Sequence, residues 1–159
     1  MKDLTKLTDR IFYVGVNDRT KHLFEALWPL PLGVSYNAYL VCGERTALID
    51  TVDACFTGRL LANIRERLGD KPLDYLVINH MEPDHSASIA AVRQVYPEVR
   101  IVGNAKTLQM VEGYYGIIDG TVEVKEGDTL DLGGLTLSFC MIPMVHWPET
   151  MATWCAEER

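Results

Sequence analysis

Apolar residues recur along this chain in two rhythms. Over residues 56–68 they fall at Leu60, Leu61, Ile64 and Leu68 with Arg and Glu between them, which is helical spacing, and Gly69 follows as a C′ residue. Short β-branched and aromatic runs bounded by turn residues predict strands over 11–16, 35–41, 46–49, 73–78, 99–102, 121–124, 130–132 and 135–145. Gly43-Glu44 turns the second of these into the third as a hairpin that brings Asp50 and Asp53 to a strand end. The run 73–78 is apolar at nearly every position, as in a strand covered on both faces. A helix is predicted over 86–96, stopped by Pro97, and another from an Asn104 N-cap to about Tyr115. Residues 17–20 form a polar turn, and the prolines and glycine of 29–33 make an irregular segment after His22–Trp28. Strands and helices alternate first and hairpins follow, so the class is α/β. With no repeat, low-complexity tract or linker, residues 1–159 are read as one domain.

Composition narrows the function classes. The chain has 159 residues, 48% hydrophobic and 23% charged, which suits a soluble globular protein with a real core. A net charge of −7 argues against nucleic-acid partners and against an anionic membrane surface. There is no apolar run of about eighteen residues to span a bilayer, and the leading residues have no apolar leader segment. Cys42, Cys55, Cys140 and Cys155 are scattered, without a Cys-x-x-Cys pair, as reduced thiols of a cytoplasmic protein would be.

The chemistry concentrates in His80-Met81-Glu82-Pro83-Asp84-His85, directly after the apolar run 73–78. Two imidazoles and two carboxylates at the carboxyl end of so apolar a strand are more than surface polarity, and α/β folds gather function there. In an extended segment His80, Glu82 and Asp84 point one way, while His85 can turn toward a second ion as a helix begins. Two carboxylates beside two imidazoles lean toward a harder, redox-active ion than a thiolate set would. Helix capping by Asp84 or Ser86 would account for one residue and leave His80, Glu82 and His85 unexplained. A third imidazole, His146 of His146-Trp147-Pro148, follows the run 135–145 and would complete the first ion's ligands. His22 reads as structural, Asp50 and Asp53 as turn residues, and Trp28 and Trp147 as core packing before site wall.

His80-x-Glu82-x-Asp84-His85 with the distant His146-Trp147-Pro148 resembles the flavodiiron proteins, or A-type flavoproteins. The stretch Leu23-Phe24-Glu25-x-x-Trp28-Pro29-x-Pro31-x-Gly33-Val34-Ser35-Tyr36-Asn37-x-Tyr39-Leu40 is similar to them as well. The resemblance implies a metallo-β-lactamase-like αβ/βα sandwich holding two non-heme irons. His80, Glu82 and His146 would ligate one iron and Asp84 the other, with His85 on the second iron or just beside it. It implies reduction of dioxygen to water or of nitric oxide to nitrous oxide. Electrons would come from rubredoxin or a similar donor through FMN in a carboxy-terminal flavodoxin-like domain. A head-to-tail homodimer would place one subunit's FMN beside the other's irons, with Trp147 as an FMN-side wall. Hydrolases of the superfamily carry a histidine where Glu82 stands, so a zinc hydrolase is the rival reading. A non-catalytic truncated domain is the other.

Three departures shape the expectations. The family's bridging aspartate and later histidine have no counterpart, since only Glu149, Glu157 and Glu158 follow His146 as acidic residues. Glu149 stands where the family commonly has Asp, and Ala87 where it has Gly. The chain therefore reads as an amino-terminal piece whose sandwich has an incomplete second half. Unpaired strand edges, a marginal fold, weak metal loading and inactivity in isolation are expected of it.

Overall fold

In the computed structural model, which describes residues 5–158, the two rhythms sort into layers. The leading residues read above as lacking an apolar leader lie largely outside the described ones. The first half comprises β1 (Ile11–Tyr13), β2 (Val16–Asp18), β3 (Leu23–Phe24), β4 (Trp28–Pro29), β5 (Val34–Tyr36), β6 (Tyr39–Cys42), β7 (Thr46–Ile49) and α1 (Thr57–Leu68). There follow β8 (Tyr75–Val77), α2 (Pro83–Ser86), α3 (Ile89–Val95), β9 (Arg100–Gly103), α4 (Ala105–Tyr115), β10 (Thr121–Glu123), β11 (Thr129–Asp131), β12 (Thr136–Met141) and β13 (Met151–Cys155).

Six strands form the main sheet in the order β1-β6-β7-β8-β9-β10. The β1–β6 and β6–β7 pairs are antiparallel, and β7, β8, β9 and β10 run parallel. Neighbouring residues of these strands face opposite ways, so one strand feeds two cores. Leu40, Leu48, Leu76 and Ile101 meet Leu60, Ile64 and Leu68 of α1, Ile89 and Val92 of α3 and Val111 of α4. Val41, Ala47, Ile49, Tyr75, Val77 and Val102 face Leu137, Phe139 and Met151 of a three-stranded sheet, β11-β12-β13. This is the helix–sheet–sheet part of the expected sandwich. No helix among the described residues is long and apolar enough to cross a membrane.

Several boundaries differ from the sequence expectation. The predicted strands 11–16 and 35–41 are each broken, at Val14-Gly15 and at Asn37-Ala38. The amides of Val14 and Gly15 both donate to the Ala38 carbonyl, and beyond this corner β2 pairs with β5 in a separate small sheet. Gly15 is needed there, because a Cβ would lie 2.1 Å from the Tyr36 carbonyl oxygen. The helix expected over 86–96 is split into α2 and α3 around Ala87-Ser88, where the Ser88 hydroxyl donates to the Val52 carbonyl. The strand expected over 135–145 stops at Met141. Pro143 cannot donate to a ladder and Met144 takes φ +66°, so 142–150 is a loop and His146 lies in it, not at a strand end. Strand β13 follows this loop and was not foreseen. Trp28, expected in the core, is 60% exposed on the short β3–β4 hairpin.

Candidate metal centre

The parallel strands bring the chemistry to their carboxyl ends. β7 runs into Asp50, whose carboxylate accepts from the Asn79 amide at 2.7 Å. The Thr51 amide and hydroxyl both donate to the His85 carbonyl, at 2.8 and 2.6 Å. From the other side the Met151 amide donates to the Asn79 carbonyl at 3.0 Å, and the Thr153 hydroxyl to the Asn79 side-chain oxygen at 2.7 Å. The segment after β8 is thus braced by β7 and β13.

Within that segment Met81 packs into the helix-side core, while His80 and Glu82 present their side chains together. Glu82 Oε2 lies 3.3 Å from His80 Nε2 and 2.9 Å from His146 Nε2. One ligand atom from each of the three residues falls within 4.8 Å of the others. His80 and Glu82 are buried, whereas the His146 side chain is 66% exposed on its loop. The His80 ring centroid is 5.0 Å from that of His146, 5.6 Å from that of His85 and 5.3 Å from that of Trp147. Trp147, half-buried, forms an apolar side of the group.

Asp84 does not continue the alternation expected from its spacing. Pro83 occupies the first turn of α2, and the change to helical backbone takes Asp84 out of line with His80 and Glu82. Asp84 Oδ2 sits 3.7 Å from His85 Nε2, and neither residue joins the three-residue cluster. Burial raises the Asp84 carboxyl above its ordinary range and pulls the His85 imidazole below its own. Burial also pushes Asp50 up to about 7 against the hydrogen bonds that favour its charge. His85, Asp50 and Asn79 line a cavity of about 390 Å³ between the sheets, beside Tyr39, Leu137 and Thr153. His22 and Asp53 stand apart: His22 is exposed, and Asp53 caps the turn 54–56 and pairs with Lys21 at 3.4 Å.

Glu149 had no functional role in the sequence reading. It is buried, and its Oε1 accepts from the Met81 amide at 2.8 Å and lies 2.9 Å from His80 Nδ1. Two signals were available, its place two residues after Trp147 and an acidic side chain where the resembled family commonly has Asp. The donor set fits a cation. Asp84 Oδ1, His85 Nδ1 and Glu149 Oε2 are buried without hydrogen-bond partners among the described residues, and two imidazole nitrogens converge on one Glu82 oxygen.

The layered fold and this histidine–carboxylate cluster define a metallo-β-lactamase-like domain. A family model described as "ODP family beta lactamase" matches residues 34–159. The flavo-diiron protein FprA2 of Clostridium acetobutylicum is 36% identical over 156 residues, covering 97% of this chain and 39% of the relative. The rubredoxin-oxygen oxidoreductase of Megalodesulfovibrio gigas is 37% identical over 156 residues, covering 98% and 39%. The solved structure of rubredoxin oxygen:oxidoreductase from Desulfovibrio gigas superposes with a TM-score of 0.92 at 36% identity, again covering 98% and 39%. The chain belongs to the flavodiiron protein family, matching its β-lactamase-like part, and spans about two-fifths of the length of these relatives.

Proposed function

We propose that this chain is the diiron-holding domain, residues 1–159, of an oxidoreductase that reduces dioxygen to water or nitric oxide to nitrous oxide. The observation that carries the reading is Glu82, a buried carboxylate set between His80 and His146. A carboxylate there suits a ferric as well as a ferrous ion, where an imidazole would suit zinc. His80, Glu82 and His146 would hold one iron and Asp84 the other, with His85 on that second iron or just beside it. When bound, two ferrous ions supply a pair of electrons to a small diatomic substrate. The chain's own residues do the rest. Glu82 neutralises charge at the centre, Trp147 keeps water from one side of it, and β7 and β13 hold the His80 segment still. The relatives named for rubredoxin–oxygen and nitric oxide chemistry support the substrate class and a rubredoxin-type donor. FMN bound in a flavodoxin-like domain, a head-to-tail homodimer with Trp147 toward the partner's FMN, and a cytoplasmic setting complete the proposal.

The test is metal content after anaerobic purification and reconstitution with ferrous iron, compared between wild type and Glu82→Ala. Iron retained by wild type and lost from the variant is the expected result. Zinc retained in preference to iron would turn the assignment to a hydrolase, and no retained metal would leave a structural domain.

A further inference from the structure

We infer that Glu149 is a positioning residue that fixes the tautomer of His80, holding the ring proton on Nδ1 and leaving the Nε2 lone pair for a metal. The inference rests on His80 being a ligand, as proposed above. A neutral imidazole carries its proton on either nitrogen, and the partner of one nitrogen decides the state of the other. Every neighbour of His80 Nδ1 here is an acceptor. Glu149 Oε1, at 2.9 Å, belongs to a carboxylate that can only accept, and the Met81 amide at 2.8 Å holds that oxygen in place. The Thr150 hydroxyl, 3.3 Å from Nδ1, donates to the Trp147 carbonyl at 3.0 Å and so turns a lone pair to the ring. Both ring nitrogens face a carboxylate oxygen, but Nδ1 has the shorter contact, 2.9 Å, to an oxygen already fixed by the Met81 amide. Nε2 is 3.3 Å from Glu82 Oε2, which has His146 Nε2 nearer at 2.9 Å. The geometry therefore favours the proton on Nδ1 and the lone pair on Nε2. Partners of this kind hold ligand rings in other metal sites, and their loss costs about 10–100-fold in affinity.

The backbone of Glu149 is set separately. The Asn104 side-chain amide donates to the Glu149 carbonyl at 2.6 Å, while the Asn104 side-chain oxygen caps α4. Position and tautomer can therefore be perturbed one at a time.

The experiment is a long-range ¹⁵N–¹H correlation spectrum of the metal-free 159-residue chain, raised in pH until His80 is neutral, together with a cobalt(II) titration. Wild type is expected to show the proton on Nδ1. Glu149→Gln keeps the shape, but its amide can donate to Nδ1, so both tautomers should appear and cobalt(II) affinity should fall by about 10–100-fold. Asn104→Ala should lower the melting temperature and leave the tautomer as in wild type. Wild-type His80 with its proton on Nε2 overturns the inference, even if Glu149→Gln does not fold. So does a Glu149→Gln chain that folds and keeps a single Nδ1–H tautomer. A chain with the expected tautomer that takes up zinc and no iron would retire the proposed function and leave this inference standing.

Discussion

Asp50 shows how a single buried group ties the site to pH. Its carboxyl, pushed up to about 7 by burial, titrates near 3.9 in an unfolded chain, so the folded protein holds the proton more tightly. Its contribution to stability is full below about pH 4, is lost as pH rises toward about 7, and amounts to roughly 4 kcal/mol at most. In the metal-free protein Asp50→Asn should flatten this part of the profile, gaining on wild type at about pH 8 and not at about pH 4.5. Urea denaturation of both chains at the two pH values checks it, and parallel profiles would remove Asp50 from the account. At this scale the sequence was legible where the candidate ligands are neighbours. The spacing of His80, Glu82 and Asp84 announced a site, although Pro83 turned Asp84 out of the expected line. Glu149 was not legible, because its meaning comes from a contact with a residue 69 positions earlier.

Elements were legible where one face is buried throughout, and not where the chain turns a corner. Helices α1 and α4 fall where the apolar spacing, the Asn104 cap and Gly69 placed them. The corner at Gly15 gave no such pattern, since both sides of it are strand-like. Gly15→Ala should cost at least about 1–3 kcal/mol, because the added methyl meets the Tyr36 carbonyl at 2.1 Å. Gly113→Ala, in α4 with nothing within 4 Å of the new methyl, should instead stabilise by about 0.5–1 kcal/mol. Chemical denaturation of the pair tests the reading, and a loss at both positions would contradict it. Likewise residues 142–145, the first part of the loop 142–150, read as strand from their apolar side chains. Pro143 and the left-handed Met144 are what bend it, and only Pro143 could have been weighed from sequence.

Across the whole molecule, the layering followed from apolar runs, because residues 46–49 and 75–77 are buried at every position and demand cover on both faces. The three-stranded sheet supplies the second cover, and β13 is one of its two edges. Trp154, 57% exposed, stands beside Ser138 on that sheet's outer side. An apolar edge of this kind invites pairing with other chains. Trp154→Lys should raise the monodisperse fraction in light scattering while moving stability by no more than about 0.5 kcal/mol. Unchanged scattering would place any association elsewhere, for instance at Leu27 and Leu32 near the β3–β4 hairpin, both exposed. The bracing of the His80 segment by Glu149 and Met151 also sets a schedule for the growing polypeptide. A ribosome adding about 5–20 residues per second needs roughly 3–14 s to travel the 69 positions from His80 to Glu149. Throughout that interval the nascent chain displays two histidines and two acids with only the β7 half of their brace, Asp50 and Thr51, already made. Whatever ion the finished fold favours, the fully braced His80 segment is not there to choose it before Glu149 has been made.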